Sequence, residues 1–336
     1  MNNIHGFGLG IATENNRGEI LEVFYPRPLG TTSGENAELL AGIEGNLDKA
    51  QIKEVTHTLD RVGENSLAKI SKQLTGTSRR VVAVCLRENR PPKSVAEAYL
   101  KLHLLSHRLV EPHGTDLSGL FELLPNVAWT DVGAVDLNEL SERQLDARLR
   151  GKVLEVASID KFPKMTNYVV PKGVRIAHSA RVRLGAFLGE GTTVMHEGFV
   201  NFNSGSEGPG MIEGRISAGV WVQAGSDLGG GCSTMGTLSG GGNIVISVGR
   251  ECLIGANAGI GIPLGNRCTI EAGLFVTAGT KVNLLDRLGQ IVEIVSARSL
   301  SGRSDLLFRR HSSTGAVECL TNKSSIELNK MLHAHN

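Results

Sequence analysis

Residues 176–200 read IAHSARVRLGAFLGEGTTVMHEGFV, and an aliphatic side chain returns at every sixth position: Ile176, Val182, Leu188, Val194 and Val200. A helix repeats its apolar face every 3.6 residues and a strand every second residue, so neither makes this beat. A strict six with glycine and other small residues between predicts a solenoid in which three hexapeptides build one triangular coil. Each aliphatic then lies on its equivalent in the next coil, about 4.8 Å away as in neighbouring strands. The predicted fold is mainly β, a left-handed parallel β-helix.

The beat resumes at Ile216, Val222 and Leu228, at Val248, Ile254 and Ile260, and at Leu264, Ile270, Val276 and Val282. Sixteen residues separate Val200 from Ile216, and Gly205, Gly208, Pro209 and Gly210 among them predict an extruded loop over about 201–213. A second break, from Leu238 to Asn243, contains Gly240-Gly241-Gly242 and predicts another loop; the third, at Ile262-Pro263, predicts a bulge. A single prism of this kind buries little area per coil and presents flat outer faces. Packing those faces together makes a homotrimer the expectation.

Different patterns flank the solenoid, expected to span 151–283. Residues 1–150 mix strand-like runs, Glu19 to Tyr25 and Val81 to Leu86, with helical ones, predicting an N-terminal α/β domain. Ser94 and Glu97 form a capping box after Pro91-Pro92, ahead of a stripe of Val95, Tyr99, Leu102, Leu105 and Leu109. A second helix is expected from Asn138 to Arg150, stopped by Gly151. Residues 284–336 read as a small α+β tail: strands at Gln290–Val295 and Leu306–Arg310, a hairpin turn at Ser313-Thr314-Gly315, and a closing helix over 322–334.

A formal charge of +1 removes the electrostatic case for nucleic acid as a partner. Cys85, Cys232, Cys252, Cys268 and Cys319 contain no Cys-x-x-Cys pair, which reads as reduced thiols in a cytoplasmic protein. The opening MNNIHGFGLGIATENN has no basic then apolar export pattern, and no apolar run reaches the roughly 18 residues of a membrane span.

A purely structural array would have no need of extruded loops or of Gly229-Gly230-Gly231 followed so soon by a second glycine run. Such runs let backbone N–H groups approach a phosphate, a pantetheine amide or an oxyanion, although any single glycine can equally serve only to turn a corner. Glu213, followed by Gly214 and Arg215, sits where the predicted loop rejoins the coil. Its carboxylate suits proton removal or acyl acceptance; the bland alternative is an exposed carboxylate paired with Arg215. His178 and His196 stand one full coil apart, roughly 5 Å along the axis. No third histidine occurs between His196 and His311, so a zinc triad of the carbonic anhydrase type is unsupported.

The stretch MHEGFVNFNSGSEGPGMIEGRISAGVWVQAGSDLGGGCSTMGTLSGGGNIVISVGRECLIGANAGIGIPLG, with EAGLFVTAGTKV, LLFRRHSSTGAVEC, AYLKLHLLSHRLVEPHG and LLPNVAWT, resembles the tetrahydrodipicolinate N-succinyltransferases in their longer, actinobacterial and pseudomonad form. The resemblance is strong over 95–336 and holds in outline over 1–90. It implies a homotrimer that transfers succinyl from succinyl-CoA to the amino group of opened tetrahydrodipicolinate in lysine and diaminopimelate biosynthesis. It assigns Glu213 as an acyl acceptor forming a mixed anhydride; general-base action satisfies the same requirement. It also assigns Arg215, Gly230, Ser233, Ala256, Glu271, Ala272 and Gly279, with Arg309, Arg310, His311 and Ser312, to the binding of succinyl-CoA. Ser296 stands where relatives often have lysine. Magnesium near a three-fold axis is implied through Glu197 and an aspartate, but Ala180 occupies the aspartate position, which counts against the metal. A related β-helix N-acyltransferase using another acyl donor or amine is the alternative function.

Overall fold

The computed structural model describes residues 3–236 and 245–321. It divides into two compact units, 1–163 with 167–169, and 164–166 with 170–336.

In the first unit an antiparallel sheet runs in the order Ile20–Phe24, Gly6–Glu14, Val81–Leu86, Gly45–Leu47. Helices Glu35–Ala41, Lys49–Arg61 and Asn65–Leu74 close a core around Phe7, Leu9, Leu40, Leu59 and Leu67. Helix Val95–Ser106 packs against the three strands from Ile20, Gly6 and Val81 and is buried along nearly its whole length. Ser94 caps it, its Oγ accepting from the Glu97 N–H at 3.2 Å. The box does not close, because the Glu97 carboxylate takes two bonds from Arg90 and one from the Lys93 N–H. Leu109 lies beyond the helix and is exposed. A second antiparallel sheet, Gly133–Asp136, Val127–Thr130 and Val156–Asp160, carries helix Leu137–Leu149, which Asp136 caps and Gly151 at φ 71° ends.

The second unit is a three-sided parallel solenoid. Its first face stacks Arg175–Ile176, Thr192–Val194, Gly210–Ile212, Asp227–Leu228, Leu253–Ile254 and Thr269–Ile270. Its second stacks Phe199–Val200, Arg215–Ile216, Ser233–Thr234, Gly259–Gly261 and Phe275–Thr277, and its third Ala186–Leu188, Ser204–Ser206, Trp221–Val222 and Ser247–Val248. Strands this short leave room to turn a corner on every side. Val194, Ile212, Leu228, Ile254 and Ile270 form one core column, each about 1% exposed or less.

The extruded loop expected over 201–213 is absent. Ser204–Ser206 occupies the third face and Gly210–Ile212 the first, so the chain completes a regular coil. The six-residue beat continues through Ser206 and Ile212, and Ser206 is fully buried. Hydroxyls hid the pattern. They are tolerated inside because Ser204 Oγ donates to the Asn201 carbonyl and Ser206 Oγ accepts from the Gly208 N–H. Gly205 is required here, since a Cβ would lie 1.9 Å from the Phe187 carbonyl oxygen of the coil beneath. At Ile262-Pro263 the chain makes a shortened corner: four residues, not six, separate Ile260 from Leu264, which bonds through its backbone to Ser247 and Gly249. The break at Leu238–Asn243 and the helix over 322–334 lie outside the described residues.

After the solenoid, Lys281–Leu285 and Ile291–Ser296 pair antiparallel, and Leu306–Arg310 adds a further parallel rung to the first face with Phe308 over Ile270. It forms the expected hairpin with Val317–Thr321 around the turn at 311–316. Among the described residues no helix is long and apolar enough to cross a membrane.

Lys101, fully buried in the helix of the first unit, donates from Nζ to Thr115 Oγ1 at 3.0 Å and Asn89 Oδ1 at 3.3 Å. Burial pulls its pKa down from 10.5 to about 8. The unfolded chain therefore binds more protons than the folded one between those values, and this side chain's contribution to stability rises with pH across the window. Relative to Lys101→Met, the wild-type protein should gain up to about 3 kcal/mol between pH 7 and pH 10. Urea denaturation of both proteins at the two pH values checks this; parallel curves would refute it.

Candidate functional site

The edge between the first and second faces carries most of the residues singled out in the sequence. Six residues separate the core position of one face from that of the next in four coils: Val194 to Val200, Leu228 to Thr234, Ile254 to Ile260, and Ile270 to Val276. Between Ile212 and Ile216 there are four, although both ends keep register with their neighbours. The two missing residues cut a notch between the fuller corners at 195–199 and 229–233. Glu213 is the first residue in it. The shortened chain runs hard against the next coil at Gly214, where a Cβ would come within 2.3 Å of Cys232 Sγ.

Glu213 is half-buried, its backbone held by the Leu228 carbonyl and the Gly231 N–H. Among the described residues its carboxylate has no hydrogen-bond or ion-pair partner. The expected alternative of pairing with Arg215 is not what forms: Arg215 Nη2 donates to Ser233 Oγ at 2.6 Å. Cys232 is no rival nucleophile. It is buried, and burial, with the Glu213 charge adding to it, pushes its thiol up to about 12.

From Glu213 toward the C-terminus, the equivalent corner positions are Gly229-Gly230, Gly255-Ala256, Glu271-Ala272 and Arg309-Arg310. Four rungs at about 4.8 Å make a strip about 19 Å long. Gly229 and Gly255 are dictated by packing, since a Cβ on either would strike the next coil's backbone at 2.7 and 2.4 Å. Gly230 differs, for a Cβ there would meet only Glu213 Oε2, at 3.8 Å. With Ala256 exposed, the two rungs next to Glu213 carry almost no side chain, and the long side chains begin only at Glu271. At its far end the Arg310 N–H donates to Glu271 Oε2 at 2.6 Å and its guanidinium to the Gly273 carbonyl.

Not every predicted contact joins this strip equally. Arg309 is tied through Nε to the buried Glu318 carboxylate at 3.0 Å. His311 accepts from the Thr314 N–H to shape the hairpin turn, and Ser312 is exposed beside it. Gly279 follows the last strand of the second face with open space around its α-carbon. Ser296 lies directly opposite Lys281 in the antiparallel pair. The sequence reading missed that lysine, and the alternation of 281–285 against 291–296 was the signal that would have found it.

Glu197, one coil toward the N-terminus, is exposed and bonded to Arg181 Nη2 at 3.1 Å and His196 Nδ1 at 2.9 Å. The His196 bond, then the Arg181 charge, holds its carboxyl below the ordinary range. His178 and His196 stack edge to face at 5.3 Å, the one-rung spacing expected. Among the described residues no three metal-ligating side chains converge. Within one chain, a single carboxylate already serving a guanidinium and an imidazole does not fit magnesium, which requires octahedral oxygen donors.

Family models match this chain at residues 124–164, the middle region of tetrahydrodipicolinate N-succinyltransferase, and at 245–278, the hexapeptide repeat of succinyl-transferase. A 2,3,4,5-tetrahydropyridine-2,6-dicarboxylate N-succinyltransferase of Pseudomonas putida is 61% identical over 343 residues, covering 100% of this chain and 99% of the relative. Its Vibrio cholerae counterpart is 55% identical, covering 98% of each. The chain belongs to this family. A solved Campylobacter jejuni structure, described as a 2,3,4,5-tetrahydropyridine-2-carboxylate N-succinyltransferase, superposes with a TM-score of 0.85 at 33% identity, covering 96% of this chain and 93% of that one. Among the described residues, the notch holds a carboxylate without a partner, beside a strip whose nearest rungs bear only small side chains. Gly230→Val places a branched side chain where space exists, in front of Glu213. The expected result is a melting temperature close to wild type with an acyl-CoA KM raised at least about tenfold, the loss of roughly 1.4 kcal/mol of binding; an unchanged KM would detach the strip from the cofactor.

Proposed function

We propose that Glu213 is the general base of an N-succinyltransferase whose succinyl-CoA lies along the strip from Glu213 to Arg310. The enzyme transfers succinyl to the amino group of the opened tetrahydrodipicolinate. In that step the amine nitrogen bonds to the thioester carbonyl carbon, its proton passes to Glu213, and the carbon–sulfur bond breaks. CoA leaves as a thiolate and takes up a proton. The observation that carries this reading is the half-buried carboxylate, without a partner among the described residues, set in the notch. The Gly230 N–H, which makes no hydrogen bond among the described residues, is a suitable donor for the developing oxyanion.

Arg215 and Ser233, Ala256, Glu271 and Ala272 border the donor on this reading, and Arg310, His311 and Ser312 meet its phosphates, with Arg309 held back by Glu318. Lys281 supplies the cation that Ser296 lacks, from the facing strand. A left-handed coil, a homotrimer formed by the flat faces, and a cytoplasmic setting suited to five buried free thiols complete the proposal.

Glu213→Gln keeps the size of the side chain and removes its basicity, so turnover should fall about 10²-fold or more while the melting temperature stays near wild type. Glu197→Gln should retain most of the turnover. A Glu197→Gln enzyme that is folded but inactive, beside a nearly normal Glu213→Gln, would reverse the assignment. Mixing excess enzyme with succinyl-CoA in the absence of acceptor separates the two roles of Glu213: general-base action predicts no stoichiometric burst of thiol, and such a burst would favour the mixed anhydride. Light scattering should give three times the chain mass.

A further inference from the structure

The acceptor has to reach Glu213 from the flank that the donor leaves open. On the reading above, which this inference rests on, the donor occupies the edge on the C-terminal side of the notch. The other flank consists of the coils of Val182 and Val200, which stack in register below Ile216 on the second face. Alternation along a strand puts the residues on either side of each core position outward. Two outward columns result: Arg181, Phe199, Arg215 and, beside it, Arg183, Asn201, Ser217.

The cations of this flank's second face are Arg181 and Arg183, and they are differently placed. Arg181 faces the Glu197 carboxylate at 3.1 Å. Arg183 is half-buried; its Nη1 donates to Asn201 Oδ1 at 3.2 Å, and its guanidinium lies 5.9 Å from the centre of the Phe199 ring. An amide and an aromatic face orient a guanidinium and keep its positive charge. Arg183 stands two rungs from Arg215 and one column across, about 12 Å away. Arg215 sits two residues from Glu213 and turns toward Ser233 on the donor side.

The family's acceptor is a dicarboxylate, so an amine seated at Glu213 leaves a carboxylate several ångströms away that needs a cation. We infer that Arg183, braced by Asn201 and Phe199, binds the acceptor carboxylate remote from the reacting amine. The notch then divides two binding regions: small residues and Arg310 for the acyl donor on one side, Arg183 for a dicarboxylate amine on the other.

The test compares 2-aminopimelate with 2-aminoheptanoate, which lacks the remote carboxylate, as acceptors for succinyl-CoA in the full-length protein. Wild type should favour the dicarboxylate strongly. In Arg183→Gln its KM should rise about tenfold or more, as removal of a charge-assisted bond implies. The preference over 2-aminoheptanoate should collapse while the KM for succinyl-CoA stays constant, and Arg183→Lys should restore part of the preference. Retained discrimination in Arg183→Gln, or a shift confined to the succinyl-CoA KM, would overturn the assignment. If Arg183→Gln does not fold, Arg183→Lys decides alone: weakened discrimination supports the site and unchanged discrimination refutes it. A wild-type protein that releases no thiol with succinyl-CoA and either acceptor would overturn the functional reading and this site together.

Discussion

In-register stacking of parallel rungs is the interaction on which the second unit depends. Every core residue rests on its equivalent one coil away, so length errors cannot be absorbed within a face without turning apolar side chains outward. They can be absorbed only at corners. The chain uses this freedom twice among the described residues, at Ile212–Ile216 and Ile260–Leu264. The first produces the notch at Glu213. A deletion in the middle of a strand would have destroyed the core; at a corner it shortens the turn and leaves the stacked rungs in register.

The same constraint explains the glycines. Gly205, Gly214, Gly229 and Gly255 are places where a Cβ would collide with a neighbouring coil, so they belong to packing. Gly230, beside them, meets no such limit. A run of three glycines therefore contains residues kept for different reasons, and only the surroundings of each distinguish them. Along the two rungs next to Glu213, packing dictates small side chains, which is why nearly bare backbone can lie beside a close-packed core.

The period of six made the solenoid legible in the sequence, because Val, Ile and Leu at stacked positions leave an unambiguous beat. It failed at 201–213 for a physical reason: Ser204 and Ser206 fill inward positions and satisfy their hydroxyls locally, so a search for aliphatics sees a gap. Sixteen residues are six, six and four, and only the register of Ile212 with Val194 and Leu228 reveals where the four falls. Glu213 was legible as a candidate, since a carboxylate next to Gly214 at a break in the repeat stands out. Its lack of a partner among the described residues was not, because Arg215 two residues away suggested an ion pair, and the Arg215 guanidinium turns to Ser233 instead. The Arg309-Arg310 pair also read as one feature and separates into two: alternation sends Arg309 to buried Glu318 and Arg310 to the edge.

The contrast between the two glutamates follows from the corner lengths. Glu197 lies on a full corner, three residues past its core position, where it projects into solvent and collects Arg181 and His196. Glu213 lies one residue past Ile212 on a short corner, recessed between two fuller ones, where such cations do not reach it. A carboxylate tied up by a guanidinium and an imidazole is a poor base, because proton uptake must break those bonds. A recessed carboxylate without them has no such bonds to break and is partly shielded from water. Thus the shortening that interrupts the repeat both positions Glu213 and leaves it chemically available, and an exchange of corner lengths between the two coils would be expected to exchange the characters of their glutamates.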